Sequence, residues 1–138
     1  MLSRLYKYAS LIRISHTVFA LPFALTGALL ANEQTGLLWD RLGWIVLAML
    51  SARTAAMGFN RVVDARFDAR NPRTSGREIP QGEVSCREAR AIVIVSASVF
   101  IAVTYPLGYL CFTLSPVALV IVFWYSLAKR FTHYTQLF

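Results

Sequence analysis

The sequence predicts an all-α fold, a multi-pass bundle of about four membrane-spanning helices. Two observations favour this class. Of the 138 residues, 57% are hydrophobic and only 15% are charged, whereas roughly 25% are charged in an average soluble domain. The charges also cluster, and the stretches between them approach the ~20 apolar residues that a helix needs to cross a bilayer.

The first two predicted spans lie near 11–32 and 42–63. Most of the first is apolar, with a single threonine between Val18 and Asn32, and the second is interrupted by Arg53 and Arg61. A basic stretch precedes the first span, as in a signal peptide. Because a small-residue cleavage site is missing and three spans follow, we expect this span to stay in the mature protein.

The third and fourth predicted spans lie near 89–105 and 107–127. The third is short, and Pro106 with Gly108 predicts a tight turn between the two. The polar segment 64–88 connects the second and third spans. It contains several prolines and glycines, which predict a structured loop that folds back near the membrane surface.

Positive charge marks one end of this bundle. Basic residues precede the first span, fill the polar segment and follow the fourth span: Arg4, Lys7, Arg13, seven arginines from Arg61 to Arg90, Lys129 and Arg130. The opposite end has a single basic residue, Arg41. By the positive-inside rule, both termini and the segment 64–88 are predicted to be cytoplasmic.

The net charge of +7 also raises the question of nucleic acid. A basic patch attracts any polyanion, but here the charge lies at helix ends beside lipid, and no aromatic-basic nucleic-acid motif is present. Topology and contact with anionic lipid explain most of these arginines. We therefore expect a lipid bilayer as a partner and no nucleic acid.

Three oxygen-bearing side chains follow each other at four-residue intervals at the end of the second span. Asn60, Asp64 and Asp68, called the oxygen row below, would lie on one face of a helix about 6 Å apart. Aspartates at this spacing repel each other unless a cation neutralises them. Mg²⁺ typically binds one or two carboxylates together with substrate phosphates, so the row predicts a magnesium and diphosphate site.

A plainer explanation also fits the residue types. The two aspartates can lie beyond the lipid headgroups, each paired with Arg61, Arg66 or Arg70. Other chemistries lack their signals, because the only histidines, His16 and His133, are far apart in sequence, and neither a nucleophile elbow nor a phosphate-binding loop motif occurs.

The residues around the row resemble those of the UbiA superfamily, the intramembrane aromatic prenyltransferases that include 4-hydroxybenzoate polyprenyltransferase. The family's first motif, N-D-x-x-D-x-x-x-D, is matched by Asn60, Asp64 and Asp68. Its loop pattern, N-P-R-T-x-x-R-x-[IL]-P-x-G, is matched by Asn71-Pro72-Arg73-Thr74-Ser75-Gly76-Arg77-Glu78-Ile79-Pro80-Gln81-Gly82.

Shorter matches extend the resemblance over essentially the whole chain. Arg53 corresponds to a family arginine on the same helix face, and residues 13–16 resemble the start of the family's first helix. The pattern Y-x-x-x-K-R-x-T after the fourth helix is matched by residues 125–132, which include Lys129 and Arg130. The resemblance makes residues 1–138 the N-terminal part of a single prenyltransferase domain.

Two kinds of departure are visible. Arg61 stands where the family usually has aspartate, and Ala65 stands where it often has arginine, a pattern closer to the branch associated with an alternative menaquinone route. The family is usually built from nine helices with a second motif, D-x-x-x-D, but no acidic residue follows Glu88 here. We therefore expect these 138 residues alone to be inactive.

The resemblance implies magnesium-dependent transfer of a polyprenyl group from polyprenyl diphosphate to an aromatic acceptor such as 4-hydroxybenzoate, in ubiquinone or menaquinone biosynthesis. The oxygen row would hold Mg²⁺, with Asp64 and Asp68 as the catalytic carboxylates. The remaining residues assigned to substrate binding, besides Asn60, are Arg53, Arg66, Arg73, Lys129 and Arg130. The alternative is a non-catalytic membrane fragment or half-protein that binds anionic lipid or a partner subunit.

Overall fold

The structure, a computed structural model, describes residues 2–11, 14–35 and 38–128. These residues form five α-helices and no β-strand: α1 (Leu2–Leu11), α2 (Ile14–Thr35), α3 (Leu38–Asp68), α4 (Cys86–Thr104) and α5 (Tyr109–Ala128). The all-α fold class is thereby confirmed.

The four longer helices correspond to the four predicted spans, with one correction at the start of the first. The predicted first span began at Leu11, but Leu11 is the last residue of the separate helix α1. The predicted polar segment 64–88 begins within a helix, because α3 continues to Asp68, as the helical spacing of the oxygen row requires. The α3 helix ends four residues before Pro72, because a proline disfavours helical backbone in the residue before it and the neighbouring residues favour turns.

Two helices within the described ranges are long and apolar enough to cross a membrane. They are Arg41–Asp68, within α3, and Tyr109–Ala128, which is α5. Leu21–Leu30, within α2, is a shorter apolar helical stretch. The helix α4 carries two arginines and a glutamate within its first five residues, which leaves a short uncharged stretch. Crossing of the bilayer by all four helices therefore remains a prediction.

The long helix α3 packs most extensively against α4. The contact uses small residues, because Ala55 and Gly58 on α3 are buried and Ala89 on α4 is fully buried. A Cβ placed on Gly58 would lie 2.8 Å from Val93 Cγ2. The absence of a side chain at Gly58 thus sets how closely the two helices approach.

The helix α5 packs against both α3 and α4. The rings of Phe59 and Phe123 stack at a centroid distance of 4.4 Å and join α3 to α5. The turn between α4 and α5 is closed by a hydrogen bond from the Gly108 amide to the Tyr105 carbonyl at 3.2 Å. Gly108 has φ of +132°, so the tight turn predicted at this glycine is confirmed.

The start of α4 is fixed by a capping box. The Ser85 hydroxyl accepts a hydrogen bond from the Glu88 amide at 3.2 Å, and the Glu88 carboxylate accepts one from the Ser85 amide at 2.8 Å. This exchange satisfies two backbone amides at a helix start. It ends the segment 69–85, called the connecting loop below, at a defined point one turn from the core residue Ala89.

Candidate functional site

The oxygen row lies on the last three turns of α3. Because an α-helix rises 1.5 Å per residue, Asn60 and Asp68 are about 12 Å apart along the axis, with Asp64 between them. Arg53 precedes Asn60 by seven residues, close to two full turns, and therefore lies on the same face. The helix thus aligns one guanidinium and three oxygen-bearing side chains along one line.

Two members of this line have buried atoms with no hydrogen-bond partner among the described residues. They are the Nε atom of Arg53 and the Oδ1 atom of Asn60. A buried polar atom left without a partner costs about 1–3 kcal/mol, so folded proteins seldom retain one without reason. An unpaired amide oxygen suits a cation, and an unpaired guanidinium nitrogen suits an anion.

Asp68, at the end of the row, is buried and paired. Its Oδ2 atom accepts a hydrogen bond from Arg77 Nη1 at 2.6 Å, which is also a salt bridge. A carboxylate that is only 7% exposed needs such a partner, because burial of an unpaired charge is costly. The plainer explanation above proposed Arg61, Arg66 or Arg70 for this pairing, and the structure assigns it to Arg77 instead.

The connecting loop is built from successive hydrogen-bonded turns. The Asn71 side chain accepts a hydrogen bond from the Arg73 amide at 3.0 Å, as in an Asx turn. The Thr74 hydroxyl donates to the Asp68 carbonyl at 3.2 Å, and the Arg77 amide donates to the Thr74 carbonyl at 3.1 Å. These bonds fold the chain back over the end of α3, which places Arg77 beside Asp68.

The second half of the loop returns the chain to α4. Gly82 adopts φ of +73°, in the left-handed region that favours glycine. The Val84 amide then donates to the Glu78 carbonyl at 3.1 Å. The predicted structured loop is therefore present, and its fixed shape holds a guanidinium against the oxygen row.

The other basic residues assigned to substrate binding are not gathered at the row. Arg66 lies two residues from both Asp64 and Asp68, which places it about 200° around the helix, and its side chain is exposed. Arg73 is also exposed, on the connecting loop. Lys129 and Arg130, like Arg13, lie outside the described residues.

Two arginines near the row received no site role from the sequence. Arg77 stands inside the matched loop pattern, so its position was visible, but its pairing with Asp68 depends on the loop fold. Arg61 is buried, and its Nε atom donates to the Leu11 carbonyl at 3.5 Å. The signals in the sequence were its departure from the family motif and its position inside an apolar span.

Neighbouring residues of the row, one turn apart, fit a magnesium ion that shares its coordination with a bound phosphate. Within the described residues, no group of three or more histidine, cysteine, aspartate or glutamate side chains can hold a metal alone. The row supplies two carboxylates and the unpaired oxygen of Asn60. A neighbouring pair from this set matches Mg²⁺, which usually binds one or two carboxylates, water and substrate phosphates.

Long apolar helices and a partly buried line of carboxylate, amide and guanidinium groups define an all-α membrane protein with a polar site at the end of its longest helix. Comparison with known proteins identifies the family. The model of the UbiA prenyltransferase family matches residues 20–138, and the chain belongs to this family.

Several relatives carry the same description. A 4-hydroxybenzoate octaprenyltransferase of Vibrio parahaemolyticus is 34% identical over 100 residues, which are 72% of this chain and 35% of that protein. One of Burkholderia ambifaria is 32% identical over 133 residues, covering 95% of this chain and 46% of the relative. This chain thus spans between a third and a half of the length of these relatives.

A solved structure shares the fold. The apo structure of a UbiA homolog from Aeropyrum pernix K1 superposes with a TM-score of 0.78 at 37% sequence identity. The match covers 85% of this chain and 42% of the homolog. The helix arrangement described above is therefore that of a UbiA protein.

Proposed function

We propose that the protein takes part in magnesium-dependent transfer of a polyprenyl group from polyprenyl diphosphate to an aromatic acceptor such as 4-hydroxybenzoate. The observation that carries this proposal is the line on α3, in which two buried atoms, Asn60 Oδ1 and Arg53 Nε, lack partners beside two carboxylates. Membership of the prenyltransferase family and the descriptions of the relatives support it.

The oxygen row would hold the cation and, through it, the diphosphate. Magnesium, when bound, acts as a Lewis acid that stabilises charge on the departing diphosphate. Asn60 contributes a neutral oxygen, and Asp64 and Asp68 contribute negative charge. The Asp68 carboxylate already accepts from Arg77, which orients it and offsets part of its charge.

Arginine side chains provide donors for the diphosphate. Arg53 has an unpaired buried nitrogen on the row's face, and a guanidinium binds phosphate oxygens through two parallel hydrogen bonds. Arg77 is within reach of the same end of the row. We retain Arg66, Arg73, Lys129 and Arg130 as proposed contacts, with Arg53 as the strongest of the predicted set because its Nε atom is buried without a partner on the face of the row.

The surroundings suit a substrate with a long apolar tail. The row continues directly from the apolar part of α3, so a bound diphosphate would place its isoprenoid chain along lipid-facing surface. Exclusion of water at such a site protects a reactive allylic cation. We propose that the reaction belongs to ubiquinone or menaquinone biosynthesis in the bacterial inner membrane, with the row and both termini on the cytoplasmic side.

The test uses the purified full-length protein in nanodiscs with a polyprenyl diphosphate, 4-hydroxybenzoate and Mg²⁺. Asp64→Asn and Asp68→Asn should each reduce product formation at least about 100-fold, because each removes charge that holds the cation. Asp40→Asn is the matched control, since Asp40 lies on the same helix about 36 Å from Asp64. Unchanged turnover in both row variants would refute the proposal.

Lipid binding is a competing function that the exposed arginines favour. Arg70, Arg73, Arg87 and Arg90 all have exposed side chains near the connecting loop. If the protein only recruits anionic lipid, binding to vesicles with phosphatidylglycerol will weaken with salt and will not respond to Asp64→Asn. Magnesium-dependent binding of inorganic diphosphate that is lost in Asp64→Asn supports the prenyltransferase instead.

A further inference from the structure

The short helix α1 contacts the connecting loop and the start of α4 through polar side chains. Three residues of α1 each contact a different glutamate. Lys7 Nζ lies 3.2 Å from Glu83 Oε1. The Tyr8 hydroxyl donates to Glu88 Oε1 at 3.3 Å, and the Ser10 hydroxyl donates to Glu78 Oε1. These three glutamates are distributed from the middle of the loop to the first turn of α4. One helix therefore touches the loop at several separate points.

An apolar contact lies beneath these polar ones. Leu11 is fully buried and forms one cluster with Val84 at the end of the loop and Ala89 on α4. The side chains of Tyr8 and Ile79 pack against the same cluster. Burial of a leucine side chain contributes more than exposed ion pairs do, so this cluster is the main attachment of α1.

Arg61 attaches the same helix to α3. Its buried guanidinium donates from Nε to the carbonyl of Leu11, the last residue of α1. The carbonyls of a final helical turn lack intrahelical partners and carry partial negative charge, which a guanidinium satisfies. An aspartate at this position would repel that carbonyl. The departure from the family motif at residue 61 thus has a structural role in docking α1.

We propose that α1 is a strap that fixes the connecting loop over the end of α3, and that the contact of Ser10 with Glu78 positions the neighbouring Arg77 on Asp68. Two hydrogen bonds fix the position of Glu78. Its side chain accepts one from the Ser10 hydroxyl, and its backbone carbonyl accepts one from the Val84 amide. Arg77 precedes Glu78 directly, so its reach to Asp68 depends on where the strap holds this residue.

The strap itself is tested without any activity measurement. In the full-length protein, an arginine-specific protease reports the exposure of the loop by its rate of cleavage after Arg73. Lys7→Glu and Glu83→Lys should each accelerate this cleavage about two- to fivefold, because each places like charges together. The double variant restores opposite charges and should return the rate close to that of the unaltered protein.

Two further variants give the upper and lower limits of the change in cleavage rate. Leu11→Ala removes the buried attachment and should accelerate cleavage more than about tenfold. Thr113→Ala is the control, because its hydroxyl, within the described part of the chain, donates to carbonyls of its own helix α5. The strap is refuted if the charge reversals behave like Thr113→Ala, or if the double variant is cleaved as fast as the single variants.

The positioning role rests on the proposed function and has its own measurement. Ser10→Ala and Lys7→Glu should raise the KM for prenyl diphosphate two- to fivefold, in parallel with the cleavage rate, and the double charge reversal should restore both. Faster cleavage with an unchanged KM would overturn the positioning role. If the unaltered protein transfers no prenyl group, the proposed function fails, and the protease result still decides the existence of the strap.

Discussion

The replacement of Gly58 by alanine tests the close packing of α3 against α4. The new Cβ would lie 2.8 Å from Val93 Cγ2, whereas carbon atoms in contact prefer about 3.5–4.0 Å. Val93 is β-branched and has one strongly preferred rotamer on a helix, so it cannot turn away at low cost. Either the rotamer or the helix spacing must change.

Two effects of opposite sign determine the magnitude. Overpacking of a tight contact costs about 1–3 kcal/mol. Replacement of glycine by alanine inside a helix gains about 1 kcal/mol. The net change for Gly58→Ala is therefore a loss of about 0–2 kcal/mol. In a Val93→Ala background the clash is removed, and the same substitution should stabilise the protein by about 1 kcal/mol.

The assay is thermal unfolding in detergent, followed by circular dichroism. A change of 1 kcal/mol corresponds to about 3–5 °C in Tm for a chain of this size. Gly43→Ala is the matched control, because Gly43 lies on the same helix with no atom within 4 Å of a new Cβ, and it should raise Tm. If Gly58→Ala raises Tm as much as Gly43→Ala in the unaltered background, the packing argument is wrong.

Three further predictions use the same thermal assay. Ser85→Ala removes the capping hydroxyl of α4 and should cost about 1 kcal/mol, and no change in Tm would contradict the capping box. Gly82→Ala should cost about 1–2 kcal/mol of stability, because Gly82 has a φ of +73°. Gly76→Ala is its control and should leave Tm nearly unchanged, because a Cβ at Gly76 meets open space. Equal effects of the two substitutions would contradict the turn geometry. Arg77→Gln leaves the buried Asp68 carboxylate without its guanidinium and should cost about 1–2 kcal/mol. Added Mg²⁺ should recover part of that last loss, since a bound cation replaces the missing positive charge, and the absence of any recovery would contradict a metal site at Asp68.

The sequence could predict features that depend on near neighbours along the chain. Helix periodicity alone aligned Asn60, Asp64 and Asp68, and the turn at Gly108 followed from local residue preferences. That alignment requires a helix as far as Asp68, which is where α3 ends. The Ser85 capping box was also local, and its serine and glutamate three residues apart could have given the start of α4.

The features that could not be predicted involve residues distant in sequence. Nothing local to Arg77 indicates that it pairs with Asp68, nine residues earlier, because that pairing requires the turns of the connecting loop. The helix α1 was treated only as a basic stretch before the first span. Its contacts with Glu78 and Glu83 join positions about 70 residues apart, which no helical or turn pattern encodes.

The sequence by itself determined an all-α membrane class, the order of the helices and the oxygen row, because hydropathy and helical periodicity act over a few residues. The tertiary structure decided which charges are buried and which partners they have. It paired Asp68 with Arg77, left Arg53 and Asn60 with unpaired buried atoms, and placed Arg66 in solvent. The physical reason is that burial and pairing arise only when separate helices and the connecting loop pack together, and these terms set the cost of every charge at the site.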